Sequence, residues 1–128
     1  MQPDRRDPRT MLPLTPAVFH ILLSLADGER HGYSIMQEIA VQTRGALRVG
    51  PTTLYRSIKN MLKDGLIVES EERPDPEVDD ERRRYYRMTE FGRHVATAEI
   101  ERLERAIAVA HSKSSLQSLV PARPAESI

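Results

Sequence analysis

The chain has no cysteine, which removes disulfides, thiolate nucleophiles, zinc fingers and iron–sulfur clusters together. No stretch approaches the roughly 18 to 20 uninterrupted apolar residues that a membrane span needs. The opening MQPDRRDPRT is not followed by the apolar core and small-residue cleavage site of a secretion signal. The expectation is therefore a cytoplasmic protein with no membrane association. Glycine-rich phosphate loops are missing too, as are G-x-S-x-G, H-E-x-x-H and G-x-x-x-x-G-K motifs. The acids gather in a proline-rich stretch that would hold a catalytic pair badly, so no enzyme activity is expected. His20, His31, His94 and His111 are scattered, and none are spaced as a helical ligand pair, so neither a metal nor another cofactor is expected. His20, within an apolar helix, reads as a hydrogen-bonded core residue.

What is present fits one compact domain with one accessory element: 128 residues, 39% hydrophobic and 30% charged. There is no excess of either sign, with 19 basic and 19 acidic residues, but the charges are segregated along the chain. From Gly28 to Lys63 the basic residues Arg30, Arg44, Arg48, Arg56, Lys59 and Lys63 face only Glu29 and Glu38. From Asp64 to Glu81 nine acids accompany Arg73 alone, and Arg82, Arg83, Arg84 and Arg87 follow at once. Such segregation implies separate surfaces with separate partners, which the overall balance hides.

Periodicity and punctuation set the order of elements. Residues 1–13 are polar with three prolines and read as a flexible N-terminal arm. Thr15-Pro16 is a helix start, with the threonine oxygen as cap and proline where a lost N–H costs nothing. The first helix runs through VFHILLSLA, stops near Gly28 and is apolar almost all round, as a central core helix should be. A second helix is expected from about Gly32 to Thr43 on the stripe Ile35, Met36, Ile39 and Ala40. Ala46–Val49 alternates and suggests a short strand. Gly50-Pro51 opens a third helix that ends at Gly65, with Leu54, Ile58, Met61 and Leu62 as its buried stripe. LIVES and RRRYYRM, separated by ERPDPEVDDE, read as a β-hairpin with a long tip. A fourth helix follows from Thr89 to about Ser112, and residues 114–128 read as a disordered tail.

Three helices followed by a two-stranded hairpin is the layout of a winged helix-turn-helix: mainly α with a small β-hairpin, and here a long C-terminal helix in addition. The expected domain organisation is an arm over 1–13, a winged helix-turn-helix over 14–88, a dimerisation helix over 89–113 and a tail over 114–128. The outward face of the third helix carries Thr52, Thr53, Arg56, Lys59, Asn60 and Lys63. A helix fits the major groove of double-stranded DNA, where Arg or Lys reads guanine and Asn reads adenine. Thr52 and Thr53 lie in the first turn, where hydroxyls and backbone N–H groups hold phosphate. Base readout is assigned to Thr52, Thr53, Arg56 or Asn60, and phosphate contacts to Lys59, Lys63 and the wing arginines Arg82, Arg83 and Arg84. Strand alternation puts Arg82, Arg84 and Tyr86 on one face and Arg83, Tyr85 and Arg87 on the other, and leaves open which face meets DNA.

The fourth helix, at about 24 residues, spans roughly 36 Å, more than a three-helix domain needs. Ala96, Ile100, Leu103, Ile107 and Ala110 form a heptad-like seam along it. A seam that outruns its own domain calls for a partner, and the simplest is a second copy. A small-molecule effector is compatible with this reading, in a pocket between the first and fourth helices of two copies, although no residue names it. The competing class of function is a protein-interaction adaptor on the same fold, docking through the acidic wing tip without sequence-specific DNA binding.

LTPAVFHILLSL, HGYSIMQEI, GPTTLYRSIKNMLKDGLI and RRRYYRMTEFG, in this order and spacing, resemble the PadR-like winged-helix transcriptional regulators over roughly Leu14 to Ser112. The resemblance implies a dimeric, repressor-type regulator whose third helix and wing bind a palindromic promoter site, with the C-terminal helix supplying the dimer contact. It further implies that Tyr33, Thr53 and Tyr55 face DNA, while Leu54 and Tyr86 pack. The chain departs from the family at Thr52, where many members have glycine, and at Arg56, where many have proline. Contacts by those two side chains are inferred from their chemistry alone. Tryptophan is also absent, so members that sandwich flat aromatic ligands between tryptophans are poor guides to an effector here.

Overall fold

The computed structural model describes residues 6–70 and 84–117. In chain order they form a 3-10 turn (Pro8–Met11), α1 (Pro16–Ser24), β1 (Arg30–His31), α2 (Gly32–Gln42), α3 (Pro51–Lys63), β2 (Ile67–Glu69), β3 (Tyr85–Met88) and α4 (Glu90–Ser112). The helix starts follow from local chemistry. The Thr15 hydroxyl accepts the Val18 N–H at 3.2 Å ahead of Pro16, and the Thr89 hydroxyl accepts the Gly92 N–H at 2.9 Å. Each satisfies a donor that the first helical turn leaves without a partner. At α2 the cap is His31, whose Nδ1 accepts the Ser34 N–H at 3.1 Å.

The sheet has three antiparallel strands in the order β1-β3-β2. The hairpin pairing sets Ile67 opposite Met88 and Glu69 opposite Tyr86. The far edge of β3 is paired by Arg30 and His31, two residues too few to show alternation in sequence. The strand expected at Ala46–Val49 does not form. There the Thr43 hydroxyl accepts the Leu47 N–H at 3.1 Å and lies 3.2 Å from the Leu47 carbonyl, so this backbone is satisfied within its own turn.

Ile21, Leu22, Ile35, Ile39, Leu54, Ile58 and Met61 bring α1, α2 and α3 into one core, closed by Ile67, Tyr86, Phe91 and Val95. His20 is half-buried at the edge of this core, with Nδ1 3.2 Å from the Gln42 amide oxygen. Leu62, expected in the buried stripe, is exposed at the end of α3. α4 crosses the start of the hairpin closely: a Cβ on Gly92 would collide with the Leu66 carbonyl oxygen.

The described part of the expected flexible arm is docked. The 3-10 turn packs along α4, with Met11, Leu12 and Leu14 against the core and the Arg6 guanidinium 4.1 Å above the Phe91 ring. The Leu14 N–H donates to the Glu99 carboxylate at 2.8 Å. Apolar side chains spaced among the prolines hold this segment, and that long-range packing overrides its polar composition. Most of the expected tail, from residue 118 on, lies outside the described residues.

Candidate nucleic-acid interface

α3 follows directly from Gly50, an N-cap without a side-chain hydrogen bond, and has Pro51 in its first turn. At about 100° per residue, Thr52, Thr53, Arg56, Lys59, Asn60 and Lys63 fall within an arc of roughly 120°, and all six are exposed. Leu54, Ile58 and Met61 occupy the opposite side and are buried. The core thus fixes which way the polar face points. Arg56, Lys59 and Lys63 have no ion-pair partner among the described residues, so their charge is available to a ligand.

Tyr55 does not join this face. It is half-buried, and its hydroxyl lies inside the crossing of α2 on α3, where a Cβ on Gly32 would sit 2.6 Å from it. The expected DNA-facing role is corrected to packing: Tyr55 lies on the flank of the helix nearest α2, and only glycine at residue 32 lets the ring in. Its neighbour on α2, Tyr33, is 56% exposed, and the Gly32–Tyr55 contact keeps the start of α2 close to α3.

The wing is joined to the same region by His31, whose ring meets Tyr85 edge-on at 5.4 Å between centroids. Tyr86 and Met88 point into the core while Arg87 is exposed, so the inward face of β3 is the one that carries Tyr86. Arg84 belongs to it. Arg84 is half-buried with Nε 3.7 Å from the Glu69 carboxylate, a loose ion pair to the neighbouring strand. Arg82 and Arg83 lie outside the described residues. Arg87 is exposed on the outward face of β3, as period-two alternation from the buried Tyr86 requires.

On α4 the structure splits the expected seam. Ala96 is 8% exposed and packs into the domain's own core, because the first two turns still lie over α1; its assignment to a partner contact is corrected. Leu103 and Ala110 are half-buried, and Ile100 and Ile107 are 39% and 52% exposed. Beside this seam Glu99 is only 1% exposed, and its carboxylate accepts from the Arg102 guanidinium and the Leu14 N–H. The Arg102 hydrogen bond is the main reason its pKa lies below the ordinary 4.5; burial opposes that shift, and the Leu14 N–H adds to it. An open groove of 490 Å³ runs between the 3-10 turn and α4, lined by Asp7, Arg9, His94, Thr97, Glu101 and Arg105 among others. Among the described residues no cluster of three His, Asp or Glu side chains could hold a metal ion, and no helix is long and apolar enough to cross a membrane.

Residues 21–98 match the family described as the transcriptional regulator PadR-like family. The chain is 42% identical over 85 residues to transcriptional regulator Rv3488 of Mycobacterium tuberculosis (strain ATCC 25618 / H37Rv), an overlap of 66% of this chain and 73% of that protein. A transcriptional regulator from Clostridium thermocellum superposes with a TM-score of 0.63 at 26% identity, covering 82% of this chain and 90% of that one. A PadR family regulator from Clostridium difficile R20291 shares the fold, with a TM-score of 0.62 at 21% identity over 76% of this chain and 96% of the other.

Proposed function

The chain belongs to the PadR-like family of transcriptional regulators, and from that premise we propose that it is a homodimeric repressor that binds a palindromic promoter site through α3 and the wing. It is a DNA-binding regulator and not an enzyme. The observation that carries the finer reading is the outward face of α3, six polar or cationic side chains exposed directly opposite the buried stripe. Arg56 and Asn60 present the donors that read guanine and adenine edges, and Thr53 and Thr52 stand where the helix meets backbone phosphate. Lys59 and Lys63 supply point charges to phosphate, and the exposed Arg87 adds a further one; Arg82 and Arg83, outside the described residues, keep the phosphate role expected from sequence.

The second copy is argued from α4. Its exposed Ile100 and Ile107, with the half-buried Leu103 and Ala110, continue an apolar line beyond the domain's own core, and a like helix covers such a line on both copies at once. Two α3 helices then lie about one turn of DNA apart, roughly 34 Å, which is why the site is expected to be palindromic. A small-molecule effector would act by changing that separation. Repression at a chromosomal promoter places the protein in the cytoplasm.

The test is electrophoretic mobility shift on a fragment from upstream of the protein's own coding region, with wild type and Arg56→Ala. Wild type should give a specific shift that Arg56→Ala weakens by roughly tenfold or more, as loss of a base-edge contact does. If wild type ignores duplex DNA in dilute buffer, the adaptor reading takes its place.

A further inference from the structure

The connection between α2 and α3 carries two arginines that the α3 face does not account for. α2 ends at Gln42, and the chain leaves it through a Schellman turn. The Gly45 N–H donates to the Ala40 carbonyl at 2.8 Å, and the Arg44 N–H donates to the Val41 carbonyl at 3.2 Å. In such a turn the first residue past the cap takes a left-handed backbone, and glycine is the usual occupant because an L side chain there crowds its own backbone. Here that residue is Arg44, with φ +51°. The glycine stands one place later, at Gly45, with φ +79°.

The rest of the turn is closed by hydrogen bonds. The Thr43 hydroxyl accepts the Leu47 N–H at 3.1 Å and can donate to the Ile39 carbonyl at 2.9 Å, while the Ala46 N–H donates to the Thr43 carbonyl at 2.9 Å. Val49 is buried in the core. The backbone is thus hydrogen-bonded within the turn while Arg44 and Arg48 are both exposed, and neither has an ion-pair partner among the described residues. Arg48 lies four residues before Thr52, so their Cα atoms are within about 14 Å even for a fully extended chain. The Arg48 guanidinium lies over the turn itself, 3.5 Å from where a Cβ on Gly45 would sit. Two exposed cations lie on this hydrogen-bonded turn next to the start of α3, one of them in a backbone conformation unfavourable to its residue type, and such a pair attracts an anion.

We propose that Arg44 and Arg48 form a second phosphate-binding patch, gripping the DNA backbone next to the groove that α3 enters. This rests on the reading of α3 as the DNA-binding helix. The patch supplies affinity and register without base readout, because guanidinium contacts to phosphate are blind to sequence. The competing account is that Arg44 merely places a cation at the C-terminus of α2, where the helix dipole favours one. The two accounts differ in what happens when the charge is replaced by a residue that accepts the left-handed backbone.

The experiment uses the full-length protein and a labelled duplex of about 30 base pairs of mixed sequence, titrated by fluorescence anisotropy across a salt series. Wild type is compared with Arg44→Asn/Arg48→Gln and with the charge-matched control Arg93→Gln/Arg105→Gln. Asparagine tolerates the left-handed backbone, so the Arg44→Asn/Arg48→Gln protein should melt at or above the wild-type temperature. The slope of log affinity against log salt should fall by about two units in that variant, close to 0.9 for each lost phosphate contact. It should stay near the wild-type value in the control. An unchanged slope in the turn variant, or an equal loss in the control, overturns the patch; a lowered melting temperature with an unchanged slope assigns Arg44 to helix capping. Wild-type protein that fails to bind the duplex even at low salt overturns the DNA reading of α3 along with it.

Discussion

Glu99 shows how one buried charge is made tolerable. A carboxylate removed from water is stable only when charged or N–H donors surround it, and here Arg102 and the Leu14 N–H do so. Because its pKa is lowered on folding, its contribution to stability is present above the ordinary 4.5 and is lost as pH falls through the lower folded value. Glu99→Gln should therefore cost about 1–3 kcal/mol at neutral pH, the worth of hydrogen bonds to a charged group. The difference from wild type should shrink in urea melts at acid pH; a gap that does not change with pH would contradict the assignment. Gly92 makes a sharper case. Any side chain there meets the Leu66 carbonyl, so Gly92→Ala should destabilise by about 1–3 kcal/mol or more, the cost of forcing atoms into a filled space. Tyr55 marks the limit of reading residues from spacing. Its position on the flank of α3 is ambiguous in the sequence, and it is the missing Cβ of Gly32, on another helix, that draws it inward.

At the scale of elements, α3 and α4 differ in how far the sequence reaches. The stripe of α3 points one way because its apolar positions repeat at helical spacing, and that repeat alone separates the buried from the exposed face. Lys63→Ala, on the outward face, should lower the salt slope of DNA binding by about one unit with little change in stability. The seam of α4 is continuous in sequence but is divided in the structure: Ala96 belongs to the domain's own core, whereas Ile100 and Ile107 are exposed. Where the helix passes from one to the other depends on the breadth of the domain beneath it, a tertiary property. Ile100→Glu/Ile107→Glu should leave the fold intact and shift the protein from dimer to monomer in sedimentation at micromolar concentration. A monomeric wild type, or a dimeric variant, would remove α4 as the interface.

Over the whole chain, opposite charges are segregated along the sequence while the total stays at zero. The cations of the α2–α3 turn and of α3 lie within one stretch of chain, from Arg44 to Lys63, and the acids that balance them come later in sequence, between Asp64 and Glu81. If two copies present their α3 helices to one duplex, footprinting should show two protected patches about 10 base pairs apart on one face of the DNA. Inserting about 5 base pairs between them should abolish tight binding, because half a turn of DNA moves one patch to the opposite face.

The sequence by itself determined the helix starts at Thr15 and Thr89, the hairpin, the polar face of α3 and the family, because caps, periodicity and motif spacing are local and survive without knowing what packs where. Only the tertiary structure decided that Arg30 and His31 complete the sheet, that the segment before Leu14 is bound to α4, that Arg84 lies beside Glu69 and that Tyr55 points inward. Each of those outcomes depends on residues distant in the chain, where a two-residue strand or a single missing Cβ leaves almost no local trace but decides which surface a side chain can reach.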